Sequence, residues 1–172
     1  LDNVMYEISN ESEGSAANDA WQNHIIQVIH TYEASKPVQH LVGYTVAFPN
    51  GNNNYLFSSQ ADWIAPNDTD SSGYNYRDNP RPNDGKKAII ADTDHLWGLG
   101  GDRSWAWKSF TRGIHTTYMD CYVEDSFGCP IKQSDPQRQS LIKNLGYIRS
   151  YADKMQLQTM TPQPSLTSTG YG

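Results

Sequence analysis

Residues 3–12 read NVMYEISNES. The first seven of them have the apolar, β-branched and aromatic character of a short buried strand, and a turn follows. The strand then finishes on an amide and a carboxylate, Asn10 and Glu11, with Glu13 close behind. Such a pair is costly to bury and useful to expose, so the end of this strand is a place to look for chemistry. The plain alternative is that Asn10 and Glu11 only cap the helix that follows.

Working outward, residues 16–33 read as a helix, with Trp21, Ile25, Val28, Ile29 and Tyr32 forming its apolar face. Lys36-Pro37 ends it. Residues 40–48 (HLVGYTVAF) are a β-rich run in which Tyr44 reads as filling, and the loop PNGNNN follows. Residues 62–65 (DWIA) make a shorter strand that stops at Pro66, and residues 67–85 are a long polar loop. Residues 87–91 (KAIIA) are the fourth strand. Residues 102–113 look helical, with Trp105, Ser109 and Arg112 on one side. Residues 116–122 (TTYMDCY) are the fifth strand. Asp135-Pro136 opens a helix to about Met155 with a stripe of Leu141, Leu145, Ile148, Ala152 and Met155.

Five apolar strands separated by helices or long loops imply a parallel sheet with helices outside, an α/β fold. Polar residues gather after the strands: Asn10 and Glu11, Asn67 and Asp68, then Asp92, Asp94 and His95, then Asp120. No glycine-rich phosphate loop follows any strand, so a nucleotide cofactor has no support.

The 172 residues suffice for one domain with a core. Aromatics at 12%, with eleven Tyr and five Trp, suit both a core and flat polar ligands such as sugars. The net charge of −6 argues against nucleic acid and anionic membrane surfaces, and no apolar run approaches a membrane span. No signal peptide is visible and the chain starts at Leu1, so its true beginning reads as removed. Cys121 and Cys129 are either a small disulfide loop, as in a secreted or periplasmic protein, or two thiols. Asp68, Asp70, Ser72 and Gly73 match the opening of a calcium loop, but Asn79 stands where its final Glu belongs, which favours a solvated loop. Against ester or amide hydrolysis, there is no Gly-x-Ser-x-Gly elbow and no base signalled beside either cysteine.

NVMYEISNES resembles the fourth strand of cellulase-like glycoside hydrolases with a (β/α)8 barrel. KKAIIADTDHLWGLGGDRSWAWKSFTRG, followed by YMDCY, resembles strands seven and eight of a little-characterised bacterial group among them. GYIRSYADKMQLQTMTPQPSLTSTGYG resembles that group's last barrel helix and the start of a small C-terminal β-domain. The resemblance implies a partial (β/α)8 barrel over residues 1–158, about five parallel strands with outer helices. It makes residues 159–172 a linker or the truncated start of the β-domain. It implies a cofactor-free glycoside hydrolase acting on a β-linked polysaccharide or oligosaccharide. Glu11 would be the proton donor and Asn10 would bind the sugar 2-hydroxyl.

The second carboxylate of that group sits at the end of strand seven and is usually Glu. Here no Glu is near, and Asp92 and Asp94 are the available acids. Their equal parity puts both on one side of an extended strand, although either also suits a turn cap. His95, Trp97 and Asp120 complete the expected substrate contacts, with His95 either holding an Asp or packed in a loop, and Trp97 the best sugar platform. Catalysis needs one carboxyl kept protonated and one kept ionised. The shorter Asp leaves retention and inversion both open.

A whole barrel has eight strands, so strands four to eight leave two open edges. The chain is then a fragment, a self-associating or partnered half, or a sheet remodelled to stand alone; a homodimer covers the open surface most simply. The competing function is a catalytically weak carbohydrate-binding or structural half-barrel.

Overall fold

The computed structural model describes residues 2–68, 73–96, 101–119 and 134–171. Its elements run β1 (Tyr6–Glu7), α1 (Ala16–Glu33), β2 (Val42–Thr45), α2 (Asn53–Ser58), β3 (Trp63–Ala65), β4 (Ala88–Asp92), α3 (Arg103–Thr111), β5 (His115–Thr117) and α4 (Pro136–Ala152). Single 3₁₀ turns occupy Asp94–Leu96, Leu157–Thr159 and Pro164–Leu166. The fold is α/β. One sheet holds all five strands in chain order, β1-β2-β3-β4-β5, and every pair is parallel.

Alternation along the strands sorts the core. Val42, Tyr44, Ile64, Ile89 and Ala91 share one face and pack with Ile26 of α1, Leu56 of α2, Trp105 and Ala106 of α3, and Leu141 and Ile148 of α4. Gly43, Thr45, Trp63, Ala65 and Asp92 take the other face by the same alternation. Glycine is required at position 43, where a Cβ would come within 1.9 Å of the Trp63 ring.

Each of the three long helices opens on a side-chain cap, and at α1 the cap is Ser15 and neither Asn10 nor Glu11. Ser15 accepts a hydrogen bond from Asn18 N at the start of α1, Asp102 from Trp105 N at α3, and Asp135 from Arg138 N at α4, where Pro136 fills the first turn. On α3, Trp105, Ser109 and Arg112 are buried together as the spacing predicts.

Three expectations are corrected. The first strand shrinks to Tyr6–Glu7 and is exposed, because it is the sheet edge and pairs on one side only. The loop PNGNNN leads into α2, whose N-cap Asn52 accepts a hydrogen bond from Asn54 N. The third correction is the orientation of α1. Trp21, Val28 and Tyr32 are 50%, 48% and 66% exposed, while Asp19, Gln22, Ile26 and Glu33 are buried. The buried polar groups have remote partners that fix the helix in this rotation. Asp19 accepts from the Tyr44 hydroxyl, Gln22 Nε2 donates to Ser12 Oγ, and Glu33 holds His40.

After α4 the chain returns across the molecule. The Tyr171 ring lies 4.4 Å from the Arg112 guanidinium. Among the described residues no helix is long and apolar enough to cross a membrane.

Candidate active site at the carboxyl ends of the strands

Glu11 follows the end of β1. Its backbone is left-handed, with φ of 45°. That conformation costs a non-glycine residue about 1–2 kcal/mol. It is held by the segment just after it: Phe48 N donates to Ser12 O at 3.0 Å, and Gly14 N donates to Pro49 O at 3.1 Å. Those bonds tie the loop after β1 to the loop after β2. Asn10 and Glu11 are both exposed. Among the described residues no hydrogen bond or ion pair holds the Glu11 carboxylate.

Asp92 is the last residue of β4 and is 3% exposed. Its register partner is Thr117 of β5. Thr93 joins the two strand ends further, since Thr93 N donates to Thr117 O and its Oγ1 accepts from Met119 N. Asp94 and His95 belong to the 3₁₀ turn that begins directly afterwards. The expectation that Asp92 and Asp94 share a face is therefore corrected. The alternation of a strand ends at Asp92, and the turn leaves Asp94 exposed while Asp92 is buried. Trp97, Asp120, Glu124, Cys121, Cys129 and most of the calcium-loop match lie outside the described residues.

The register aligns the strand that Glu11 follows with the strand that Asp92 ends. Glu7 pairs with Gly43, Gly43 with Trp63 and Trp63 with Ala88. Asp92 ends β4 four residues beyond that line, whereas the chain bends after Glu7 on its way to Glu11. Across the sheet they are three strands apart, about 14 Å if the sheet were flat, at roughly 4.8 Å per strand.

A third acid stands between them. Asp68 follows β3, and its Oδ1 is buried without a hydrogen-bond partner among the described residues. Burial pushes its pKa up from the ordinary carboxylate value, with Asp78 adding to the rise and Arg77 opposing it. Arg77 Nη1 donates to Leu96 O at 3.2 Å, which ties the loop after β3 to the turn after β4. Asn67 and Asn53 bond reciprocally, Asn53 Nδ2 to Asn67 O and Asn67 N to Asn53 Oδ1. The sequence marks Asp68 as an acid after a strand; its burial comes from the folded loop and has no local signal.

On the helix side of the same end, Tyr44 donates its hydroxyl to Asp19, and burial, reinforced by that acid, raises the Tyr44 pKa far above the ordinary phenol value. Asp19, Tyr44 and Tyr55 border a small polar cavity of about 220 Å3. The pattern at α1 gives no sign of this pair, because Asp19 and Tyr44 are brought together only by packing. Among the described residues no cluster of three His, Cys, Asp or Glu side chains offers a metal site.

No known protein family, no curated protein and no solved structure matches the chain.

Proposed function

We propose that the chain is a glycoside hydrolase acting on a β-linked polysaccharide or oligosaccharide, built as strands four to eight of a (β/α)8 barrel with its helices outside. The observation that carries this reading is an all-parallel sheet whose strands follow chain order, with Glu11 after the end of β1 and Asp92 at the end of β4. Barrel walls have that order, whereas doubly wound sheets reverse at a switch point. Barrel curvature also brings the two carboxylates closer than a flat sheet allows.

The resemblance to cellulase-like hydrolases supplies the roles. Glu11 protonates the leaving oxygen and Asn10 holds the 2-hydroxyl. Asp92 is the better second carboxylate, because it ends its strand on the face away from the helices, and Asp94 is the reserve. His95, Trp97 and Asp120 contact the sugar. The left-handed backbone at Glu11 also supports a functional reading, since strain of this kind is retained where a side chain must be aimed. A carboxyl separation of roughly 5–5.5 Å gives a covalent glycosyl intermediate, and roughly 6.5–9.5 Å admits the water of an inverting reaction.

A second reading is a catalytically weak carbohydrate-binding half-barrel. The exposure of Glu11 on an edge strand, three strands from Asp92, favours it. Self-association belongs to both readings. Trp21, Val28 and Tyr32 form an exposed stripe on α1, and Val4, Met5 and Tyr6 are exposed along the open edge. A second copy covering them forms a two-fold dimer, which light scattering after size exclusion detects against the 19.4 kDa monomer.

The deciding experiment incubates the chain with β-linked glucans, xylans and mannans and with activated aryl glycosides, and follows the product anomer by NMR. Turnover that collapses in Glu11→Gln, with azide rescue of Asp92→Ala as a glycosyl azide, supports the hydrolase. Saturable glycan binding without turnover selects the half-barrel. Neither binding nor turnover overturns both.

A further inference from the structure

The largest of the described cavities, about 590 Å3, lies at the opposite end of the sheet from the candidate site. It opens where β4 and β5 begin. Ala88 and His115 form its strand side, Phe110 backs it, and Met155, Leu157 and Met160 of the returning chain cover it. A second cavity of about 500 Å3 lies between α3 and α4, lined by Trp107, Tyr147 and Tyr151. Phe110, Thr111 and Met155 line both, so the two cavities adjoin along the groove between α3 and α4. Each volume falls in the range of small-molecule sites, roughly 300–1,000 Å3, and the linings are mostly apolar. Met155 sits at the junction, and its unbranched thioether adapts to whatever passes it.

The charge around the groove runs against that of the chain. Among the described residues no Asp or Glu lines either cavity, in a protein of net charge −6. Lys143 Nζ lies 5.8 Å from the centre of the Tyr147 ring, and Lys154 Nζ lies 5.9 Å from that of Tyr151. Asp153, the acid nearest in sequence to Lys154, is engaged by Arg149 at 2.8 Å. Lys87 lines the inner cavity, but its ammonium already donates to Ser59 O and Ala61 O, each at 2.7 Å. Lys143 and Lys154 thus carry their charge over two of the rings that line the outer cavity.

We propose that this groove binds a small amphipathic anion, an alkyl or aryl carboxylate whose apolar body runs past Met155 into the inner cavity while its acid group stays between Lys143 and Lys154. The site is separate from the acids at the carboxyl ends and does not depend on the hydrolase reading.

Isothermal titration of the whole chain with decanoate, and with decan-1-ol as the uncharged match, tests it. Expected is saturable one-to-one decanoate binding with a Kd of roughly 10–100 μM. Lys143 and Lys154 are both exposed, so the Lys143→Glu/Lys154→Glu double variant leaves the fold intact. It should weaken decanoate about tenfold by turning two attractions into repulsions, and leave decan-1-ol within about twofold. Thr111→Trp, which fills the junction of the two cavities, should abolish binding of both probes. No saturable decanoate binding to the parent overturns the proposal. Equal loss of both probes in the charge-reversed variant overturns the role of the lysines. A parent dimer that Thr111→Trp converts to monomer shows instead that a second copy occupies the groove.

Discussion

At the amino ends of the strands, Asp62 accepts a hydrogen bond from Val42 N and lies 2.9 Å from His30 Nε2, while Glu33 grips His40 through both its ring and its backbone N–H. At the carboxyl ends, Glu11 and Asp94 have no partner among the described residues, and Asp68 keeps a buried oxygen with none. The same residue type is used in two ways. Acids at one end have their acceptor capacity met by groups that join α1 to β2 and β3, so they serve the fold. At the other end Glu11 and Asp94 are exposed without a partner among the described residues, and Asp68 is held where its charge is disfavoured.

The sharpest way to break this contrast is Glu11→Gln. With the acid in its proposed role, hydrolysis of a natural glycan should fall by about 10²–10⁴-fold while the thermal midpoint stays at the parent value. A lowered midpoint would make Glu11 a structural acid like those opposite. Asp62→Ala should do the reverse. It strands Val42 N and His30, costs about 1–2 kcal/mol after allowance for partial exposure, and leaves kcat per folded molecule unchanged. Chemical denaturation alongside glycan assays reads both effects.

Asp68→Asn sharpens the comparison through its sign. Burial raises the folded-state pKa of Asp68 above the ordinary 3.8, so its ionisation costs stability as pH rises past that value. The amide variant should therefore melt higher than the parent at pH 7 and equal to it below about pH 3.8. The smallest effect is that of Glu33→Gln. The His40 backbone N–H, helped by its ring, holds the Glu33 pKa below the ordinary 4.5. Its contribution is present above that pH and lost as pH falls through the lower folded-state value. Melting curves of parent and variant should differ at pH 7 and converge as the pH drops below about 4.5.

How much of this was legible in the sequence depends on how far away each residue's partner lies. The extent of α1 follows from its apolar spacing and from Lys36-Pro37, all local signals, and the helix is found over the same span, with Ser15 as its cap. Its buried face was not legible. Trp21, Ile25, Val28 and Tyr32 make a regular apolar stripe, yet Asp19 and Glu33 are drawn inward by Tyr44 and His40, residues with no local mark of that role. α2 was hidden because its cap is an asparagine within a run of asparagines, which reads as loop. At the candidate site, the acids after β1 and β4 stood out as polar residues ending apolar runs. The turn that separates Asp92 from Asp94 did not, since Asp-Thr-Asp continues a strand as readily as it starts a 3₁₀ turn.

The chain-ordered sheet also governs how the molecule comes together. Each strand pairs only with the one before and the one after it, so every pairing closes a single connection and none waits for a distant segment. Assembly can then begin in the buried middle, at β2 to β4, and add units outward. β1, two residues long and paired on one side, is the last unit to join and the first to leave. Amide exchange should accordingly be fastest at Tyr6 and Glu7 and slowest at Ile64 and Ile89, a gradient running across the sheet. If so, the segment carrying Glu11 is the most readily detached part of the sheet, and a bound glycan that bridged Glu11 to Asp92 would also act as the clasp that keeps the first strand in place.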